Sequence, residues 1–335
     1  MKEPFIIAEM SGNHNGSLER AIKIIEAAAQ AGVDAVKLQT YTADTLTIDK
    51  KDGEFFISDK NSLWYGQSLY ELYQKAYTPW QWHEKLFARC NELGLMCFST
   101  PFDSTAVDFL EELNCPCYKI ASFENVDLKL IEKVAQTKKP LIVSTGMASI
   151  AELDELVSTA RKNGCEDITL LKCVSSYPAS PEGFNLRTIP HMKELFKCEV
   201  GLSDHTLGMG VSIAAVAMGA TVIEKHFTLS RAEGGVDSAF SMEPQEMAAL
   251  VRECKAAYQA LGKVSYDISS QESKLGRRSL YIVEDMKKGE VLTEKNLRSI
   301  RPGYGLPPKY FDDVLGLKVT RDVKRGTALS WDILK

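Results

Sequence analysis

Two histidines, His205 and His226, and three lysines, Lys37, Lys119 and Lys172, each stand at the carboxyl end of a short apolar run. A lysine or histidine flanked by apolar strand residues is costly to bury unless it has a partner, so these positions point to a site. His205 and His226 lie one strand–helix unit apart, which brings two imidazoles to one part of a rim. Two neutral imidazoles are the usual core of a divalent transition-metal site. They do not choose between Mn2+, Mg2+ and Co2+. The lysines form a cationic bowl for a phosphate and a carboxylate, with the hydroxyls of Ser144, Ser175 and Ser203 as further donors. The same lysines also suit a Schiff-base aldolase, in which one buried amine attacks a carbonyl. Spacing does not separate the two chemistries; the histidine pair leans toward the metal. His14, after the first apolar run, is a further candidate contact to substrate or metal, whereas His83 and His191 fall in or near helices and read as structural.

The runs that carry these groups are Phe5–Met10, Ala35–Thr40, Leu95–Thr100, Cys117–Ser122, Leu141–Thr145, Ile168–Val174, Val200–Ser203 and Thr221–Phe227. Helical periodicity follows most of them, at Leu18–Ala31, Pro79–Leu93, Ser104–Leu113, Asp127–Thr137, Ile150–Asn163, Pro190–Phe196, Met209–Met218 and Pro244–Leu261. Eight such units within about 260 residues predict an α/β fold of the (β/α)8 TIM-barrel type, with its site at the carboxyl ends of the strands. Those ends read Glu9; Lys37 and Gln39; Ser99 and Thr100; Lys119 and Ser122; Ser144 and Thr145; Lys172 and Ser175; Ser203, Asp204 and His205; Glu224 and His226. An open doubly wound sheet is the alternative. It would carry a glycine-rich dinucleotide fingerprint after the first strand, and Ser11–Gly16 lacks that spacing. The stretch Tyr41–Tyr77, with Trp64, Tyr65, Tyr70 and Tyr73, breaks the alternation and reads as a structured cover over the barrel mouth.

Beyond Leu261 the character changes. Gly262–Gly276 is polar and reads as a linker, Ser279–Val283 as a strand, Lys288-Gly289 as a turn, and Leu315–Val319 and Ala328–Leu334 as short further pieces. From Ser265 onward there are 14 Lys and Arg against 10 Asp and Glu, while the rest of the chain carries 26 against 35. A basic tail on an acidic barrel favours docking between protein parts over nucleic-acid binding. The amino terminus reads as no secretory signal, and no run approaches the length of a membrane helix, so the expected location is cytoplasmic. The eight cysteines read as reduced core thiols.

At these residues the chain resembles the sialic acid (nonulosonic acid) synthase family. The similar motifs, in order, are Ile7-Ala8-Glu9 with Asn13–Gly16, Val36–Thr40, Ser99–Phe102, Tyr118–Ser122, Ser144–Met147, Tyr177-Pro178, Gly201–Thr206 and Glu224–Phe227; Lys288–Glu290 and Arg301–Gly303 resemble the family's small antifreeze-like (SAF) domain. Glu9–Ser17, Leu38–Thr42, Leu69–Tyr73 and Thr78–His83 are most similar to its pseudaminic acid synthase branch. The resemblance implies a barrel domain over residues 1–262, a linker over 263–276 and an SAF domain over 277–335. It implies condensation of phosphoenolpyruvate with an N-acylated amino sugar, assisted by a divalent metal (Mn2+, or Mg2+ or Co2+) on His205 and His226. Lys37, Lys119, Ser144, Ser175 and Ser203 would hold phosphoenolpyruvate. Ser175 stands where the sialic-acid branch carries Asn, and a hydroxyl still donates there. Glu9 and Glu124 would orient the sugar and handle water, Tyr177 would line the sugar pocket, and Gln39, Thr100, Ser122 and Asp204 complete the expected substrate contacts. The family also implies a domain-swapped homodimer in which Arg301 reaches the sugar's acyl groups across the two-fold axis. A legionaminic or N-acetylneuraminic acid synthase is the competing reading within this chemistry, the Schiff-base aldolase the one outside it.

Overall fold

The computed structural model describes residues 2–266 and 271–335 of the 335-residue chain. Eight parallel strands close into a barrel in sequence order: β1 Phe5–Glu9, β2 Ala35–Thr40, β3 Met96–Pro101, β4 Tyr118–Ile120, β5 Leu141–Ser144, β6 Ile168–Cys173, β7 Glu199–Asp204 and β8 Val222–His226. The expected (β/α)8 barrel is therefore the observed fold. Closure sets the site, because β1 pairs with β2 on one side and β8 on the other, placing Glu9 opposite both Lys37 and His226.

Strands covered on both faces read as continuous apolar runs, and β5 and β8 are buried throughout. The helices carry their own start and stop signals. Leu18–Ala31 is capped by Ser17, whose side chain accepts from Arg20 N, and stops at Gly32 with φ 81°. It buries Ala21, Ile24, Ile25 and Ala28 on one stripe. Pro244–Leu261 opens with a proline in its first turn and a Glu243/Glu246 capping box. Within the expected helix at Pro79–Leu93, a 3-10 turn at Trp80–Trp82 precedes an α-helix at His83–Glu92. All eight cysteines are free and buried. Among the described residues no helix is long and apolar enough to cross a membrane.

The stretch between β2 and β3 is ordered by local chemistry. It holds helices at Ala43–Leu46 and Leu69–Ala76, the latter closed by a Ser68/Glu71 capping box, and an antiparallel bridge between Phe56 and Ser68.

Residues 263–335 form a second compact unit with its own core of Leu280, Ile282, Met286, Leu292, Leu297, Val314, Val319 and Leu329. Strand β9 (Ser279–Ile282) pairs antiparallel with β10 (Leu297–Ile300), and bridges Val291–Lys318, Val319–Leu334 and Tyr281–Ala328 tie in the later segments. Strand β10 was not among the expected elements: four residues with one buried apolar side chain leave little pattern to read. The expected linker is shorter than its composition implies. Its Gln271–Gly276 part, which contains the good helix formers Gln271, Glu272, Lys274 and Leu275, is helical, and the Lys274 carbonyl accepts from Gly303 N at 2.7 Å. The linker residues 267–270 lie outside the described residues.

One glycine tests the barrel's packing. A Cβ on Gly201, in β7, would stand 2.4 Å from Val222 O and 2.6 Å from Leu171 Cδ2. Both neighbours are parts of the closed barrel and have little room to yield. Gly201→Ala is expected to lower the unfolding free energy by about 3 kcal/mol, at the upper end of overpacking costs, measured as the shift of the urea midpoint. A wild-type midpoint would show that the β7–β8 ladder gives way locally.

Candidate active site

Four charges share the barrel interior. Lys37 Nζ stands 2.5 Å from Glu9 Oε2 and 3.6 Å from Glu224 Oε1, and Lys119 Nζ is also 3.6 Å from Glu224 Oε1. Lys37 donates to Thr100 Oγ1 at 3.2 Å, Lys119 to Ser144 Oγ at 2.7 Å, and Ser203 Oγ donates to Glu224 Oε1 at 3.3 Å. Burial disfavours every one of these charges and pairing opposes it, with a different winner from group to group. For Glu224, burial is outweighed by Lys119 and Lys37, and its carboxyl is held below the usual range. For Lys37, burial is outweighed by Glu224 and Glu9, and the ammonium is held more firmly protonated than usual. For Lys119 burial prevails over Glu224, and its pKa is lowered. For Glu9 burial prevails over Lys37 and its carboxyl is raised.

Beside Lys119 the loop after β5 brings hydroxyls together. Ser122 Oγ accepts from Gly146 N at 3.2 Å, and its hydroxyl is hydrogen-bonded to Cys173. A Cβ on Gly146 would lie 2.3 Å from Ser175 Oγ and 2.6 Å from Ser122 Oγ, so only glycine lets both hydroxyls converge. Ser175 Oγ is buried without a hydrogen-bond partner. Asn125 Nδ2 fixes the loop by donating to Ser144 O at 3.2 Å and Gly146 O at 3.1 Å.

On the opposite side stand the imidazoles, ring centroids 5.3 Å apart. His205 Nδ1 is 3.0 Å from Val174 O, a pure acceptor, so Nδ1 carries a proton; burial lowers the ring's pKa, but the neighbouring Cys173 outweighs burial and the pKa is raised. Burial, reinforced by His205, Lys37 and Lys119, holds the His226 pKa well below its usual value, so this ring is neutral at neutral pH. His226 Nδ1 is buried without a hydrogen bond, with Asp237 Oδ2 at 3.8 Å. Two adjacent imidazoles, one of them neutral with an unpaired buried nitrogen, fit a divalent cation, which takes imidazole in its neutral form. Among the described residues no group of three His, Cys, Asp or Glu side chains forms a metal cage, so the two rings would share the ion with non-protein ligands, as an open catalytic site requires.

The rings and lysines face one cavity of about 390 Å3. Its roof comes from the stretch between β2 and β3, with Leu46, Ile57, Trp64, Leu69, Leu72 and Tyr73, and Gln39, Tyr177 and Glu124 also line it. Tyr177 lies 4.5 Å from the His205 ring and Phe240 4.9 Å from the His226 ring. Burial raises the Glu124 carboxyl to about 7, with Lys119 the main opposing influence.

Lys37, Gln39, Lys119, Ser122, Ser144, Ser203, His205 and His226 line the cavity, as the strand-end reading anticipates, and so do Glu124 and Tyr177, which the resemblance put forward. Other members stand elsewhere. Asp204 does not: strand alternation turns it outward, where it pairs with Lys225 at 3.0 Å. Lys172 is outward for the same reason, and Cys173 lines the cavity in its place. Thr100 and Glu9 act on Lys37, with Glu9 Oε1 accepting from Ser11 N at 3.0 Å. Ser175 stands against Gly146. Arg301 is exposed in the second unit, directly after β10. His14 is structural: Gly16 N donates to Nδ1 at 3.1 Å, Thr78 Oγ1 stands 3.3 Å from Nε2, and burial lowers its pKa to about 4.

Two carboxylates on the cavity had no role assigned from sequence. Glu224 was visible at a strand end but is needed by both lysines. Asp237 sits in the loop after β8, hydrogen-bonded by the Ser11 hydroxyl. Its loop is held from afar by Asn13, which donates to Phe227 O and Ser241 Oγ, by Asn15, which donates to Gly234 O, and by Arg20, which pairs with Glu233. The Asn13–Gly16 motif thus serves to hold this loop. The nearby Gly234-Gly235 pair is the signal that marked a special loop.

Glu124 generates a pH test. Its folded carboxyl near 7 lies above the ordinary 4.5, so the folded state holds a proton that the unfolded chain releases. Its contribution is complete below about 4.5 and is lost as pH rises through about 7, with a slope of at most ~1.4 kcal/mol per pH unit. Urea midpoints measured across this window are expected to fall less steeply with pH in Glu124→Gln than in wild type; identical slopes would show that the carboxyl is not desolvated.

A family model described as the NeuB family matches residues 24–266, and an SAF domain model matches residues 277–335. The chain is 45% identical to the pseudaminic acid synthase of Helicobacter pylori, over 99% of this chain and 98% of that one. It is 38% identical to the N,N'-diacetyllegionaminic acid synthase of Campylobacter jejuni, over 97% and 98%. The crystal structure of N-acetylneuraminic acid (sialic acid) synthetase from Leptospira borgpetersenii, in complex with citrate, superposes with a TM-score of 0.72 at 32% identity, covering 81% of this chain and 89% of that one. The chain belongs to the NeuB family and carries an SAF domain at its carboxyl end.

Proposed function

We propose that this protein condenses phosphoenolpyruvate with 2,4-diacetamido-2,4,6-trideoxy-β-L-altropyranose and water, releasing pseudaminic acid and phosphate. The observation that carries the reading is one cavity with Lys37 and Lys119 on one side and two imidazoles 5.3 Å apart on the other. That arrangement offers an anionic enol phosphate a seat beside a carbonyl to be activated. The higher identity to the pseudaminic acid synthase, 45% against 38% for the legionaminic one, supports the choice of sugar. So does the roof, whose Leu46, Ile57, Leu69 and Leu72 suit the methyl groups of a 6-deoxy, doubly acetylated sugar.

Lys119 and Ser144, already hydrogen-bonded, receive the phosphate and carboxylate together with Lys37, and the Ser122 hydroxyl and the unpartnered Ser175 hydroxyl donate to the same anion. Glu9 and Glu224 keep the two ammonium groups fixed and compensated. His205 and His226 would hold Mn2+, Mg2+ or Co2+, which when bound supplies Lewis-acid polarisation of the sugar's open-chain aldehyde. Carbon three of phosphoenolpyruvate bonds to the aldehyde carbon, water adds at carbon two, and phosphate leaves as the keto group forms. Glu124, poised near neutrality on the cavity wall, exchanges the proton of that water. Trp64, Tyr177 and Phe240 exclude bulk solvent around the imidazoles. Arg301 is assigned to the acyl groups of a sugar bound in the barrel of a partner chain, within a domain-swapped homodimer. Phosphoenolpyruvate is an intracellular metabolite, which assigns the enzyme to the cytoplasm.

The test is phosphate release from phosphoenolpyruvate with Mn2+, offering the diacetamido-altrose and N-acetylmannosamine separately, each with and without chelator. Release with the altrose alone, abolished by chelator, is expected; release with N-acetylmannosamine instead would overturn the sugar assignment. Lys119→Met is expected to lower kcat/KM by about 10³, within the range for removing a preorganised charge. Borohydride added during turnover is expected to leave the protein mass unchanged, and a trapped adduct would move the reading to the Schiff-base class.

A further inference from the structure

Asp204 and Lys225 face away from the cavity, yet each immediately precedes one of its imidazoles, His205 and His226. They are ladder partners across β7 and β8, and their charges meet at 3.0 Å with side chains 0% and 1% exposed. This is also the last pair of that ladder, so His205 lies beyond the hydrogen-bonded register. Toward β6 its carbonyl accepts from Ala179 N and its Nδ1 donates to Val174 O, both at 3.0 Å. Toward β8 the grip comes from the ion pair, which takes hold of the next residue. Asp204 Oδ1 accepts from Thr206 N at 2.8 Å and Thr206 Oγ1 at 2.7 Å, and Lys225 Nζ donates to Thr206 O at 2.6 Å. Ser212 Oγ donates to Asp204 Oδ2 at 2.6 Å, anchoring the group to the helix Gly210–Ala217. His205 therefore sits at the crest of a turn whose far side is tied to the residue preceding His226.

We infer that the Asp204–Lys225 pair is a positioning clamp that fixes the separation of the His205 and His226 rings, and that it thereby sets the protein's affinity for a divalent cation. The inference rests on the assignment of those rings to a metal. A buried ion pair is a poor stabiliser compared with well-packed apolar side chains, so two buried charges here call for a geometric reason. The reason on the page is that one pair reaches the backbone on both sides of one imidazole and the strand of the other.

The experiment uses the charge-free double variant Asp204→Asn/Lys225→Met, because removing one partner alone would leave a buried unpaired charge and unfold the strand ends. Mn2+ affinity is measured by equilibrium titration, phosphoenolpyruvate affinity by titration without metal, and the melting temperature alongside. Mn2+ affinity is expected to fall by about 10- to 100-fold, the cost typical of losing the groups behind metal ligands. Phosphoenolpyruvate affinity and melting temperature are expected to stay at wild-type values, a split that a merely structural role would not give. In a crystal structure of the double variant the rings are expected to leave their 5.3 Å separation. Wild-type Mn2+ affinity in the folded double variant, or rings unmoved in its crystal structure, would overturn the clamp. If wild type itself binds no Mn2+, the metal assignment falls instead, and the ring separation in the variant decides the clamp alone.

Discussion

One carboxylate oxygen, Glu224 Oε1, stands 3.6 Å from both Lys37 and Lys119, and the rest of the site is arranged around that shared contact. All the side chains involved, Glu9 included, are at most 4% exposed, where an unpaired charge costs several kcal/mol. Two basic groups face two acidic ones: pairing holds Lys37 protonated and Glu224 ionised, while burial pulls Lys119 and Glu9 toward their neutral forms. The balance has a consequence for ligand binding. A substrate such as phosphoenolpyruvate brings negative charge into an interior that is already compensated. Glu124 answers part of that demand, since burial raises its carboxyl to about 7, and burial pushes the Asp237 carboxyl in the same direction. A divalent cation at the imidazoles would answer the rest. Metal, lysines and raised carboxyls are thus one electrostatic system with a single account of charge.

The barrel was legible because its strands are short apolar runs ending in polar residues, and that contrast survives in one dimension. Membership of the cavity was legible only where alternation was respected. Along β7, Ser203 and His205 share the inner face, and Asp204 between them must point out; along β6, Cys173 takes the inner place and Lys172 the outer. A polar residue at a strand end is therefore only half a signal, and the parity relative to a known inward neighbour is the other half. Asp237 was illegible for a different reason. Its position depends on hydrogen bonds from Asn13 and Asn15, more than 200 residues away in sequence. Within the Asn13–Gly16 motif His14 was the candidate contact to substrate or metal because it follows a strand, whereas the motif's amides are spent holding a loop.

Floor and roof of the cavity are built by different means, and the division follows the tasks. The floor groups sit on strands locked into a closed ladder, where side chains hold the sub-ångström geometry that bond formation requires. The roof sits on the stretch between β2 and β3, held by caps, a single bridge and ring contacts, and this construction tolerates changes of side chain. The two parts are nevertheless linked. The Trp64 indole donates to Val236 O at 3.0 Å, beside Asp237, and its ring meets Tyr177, which in turn packs on His205. Under the proposed function, a sugar seated against the roof would press on the same side chains that contact an imidazole and flank a carboxylate. Packing would then carry shape selection from the roof to the reacting end, so that a poorly fitting sugar would be penalised in the chemical step as well as in binding.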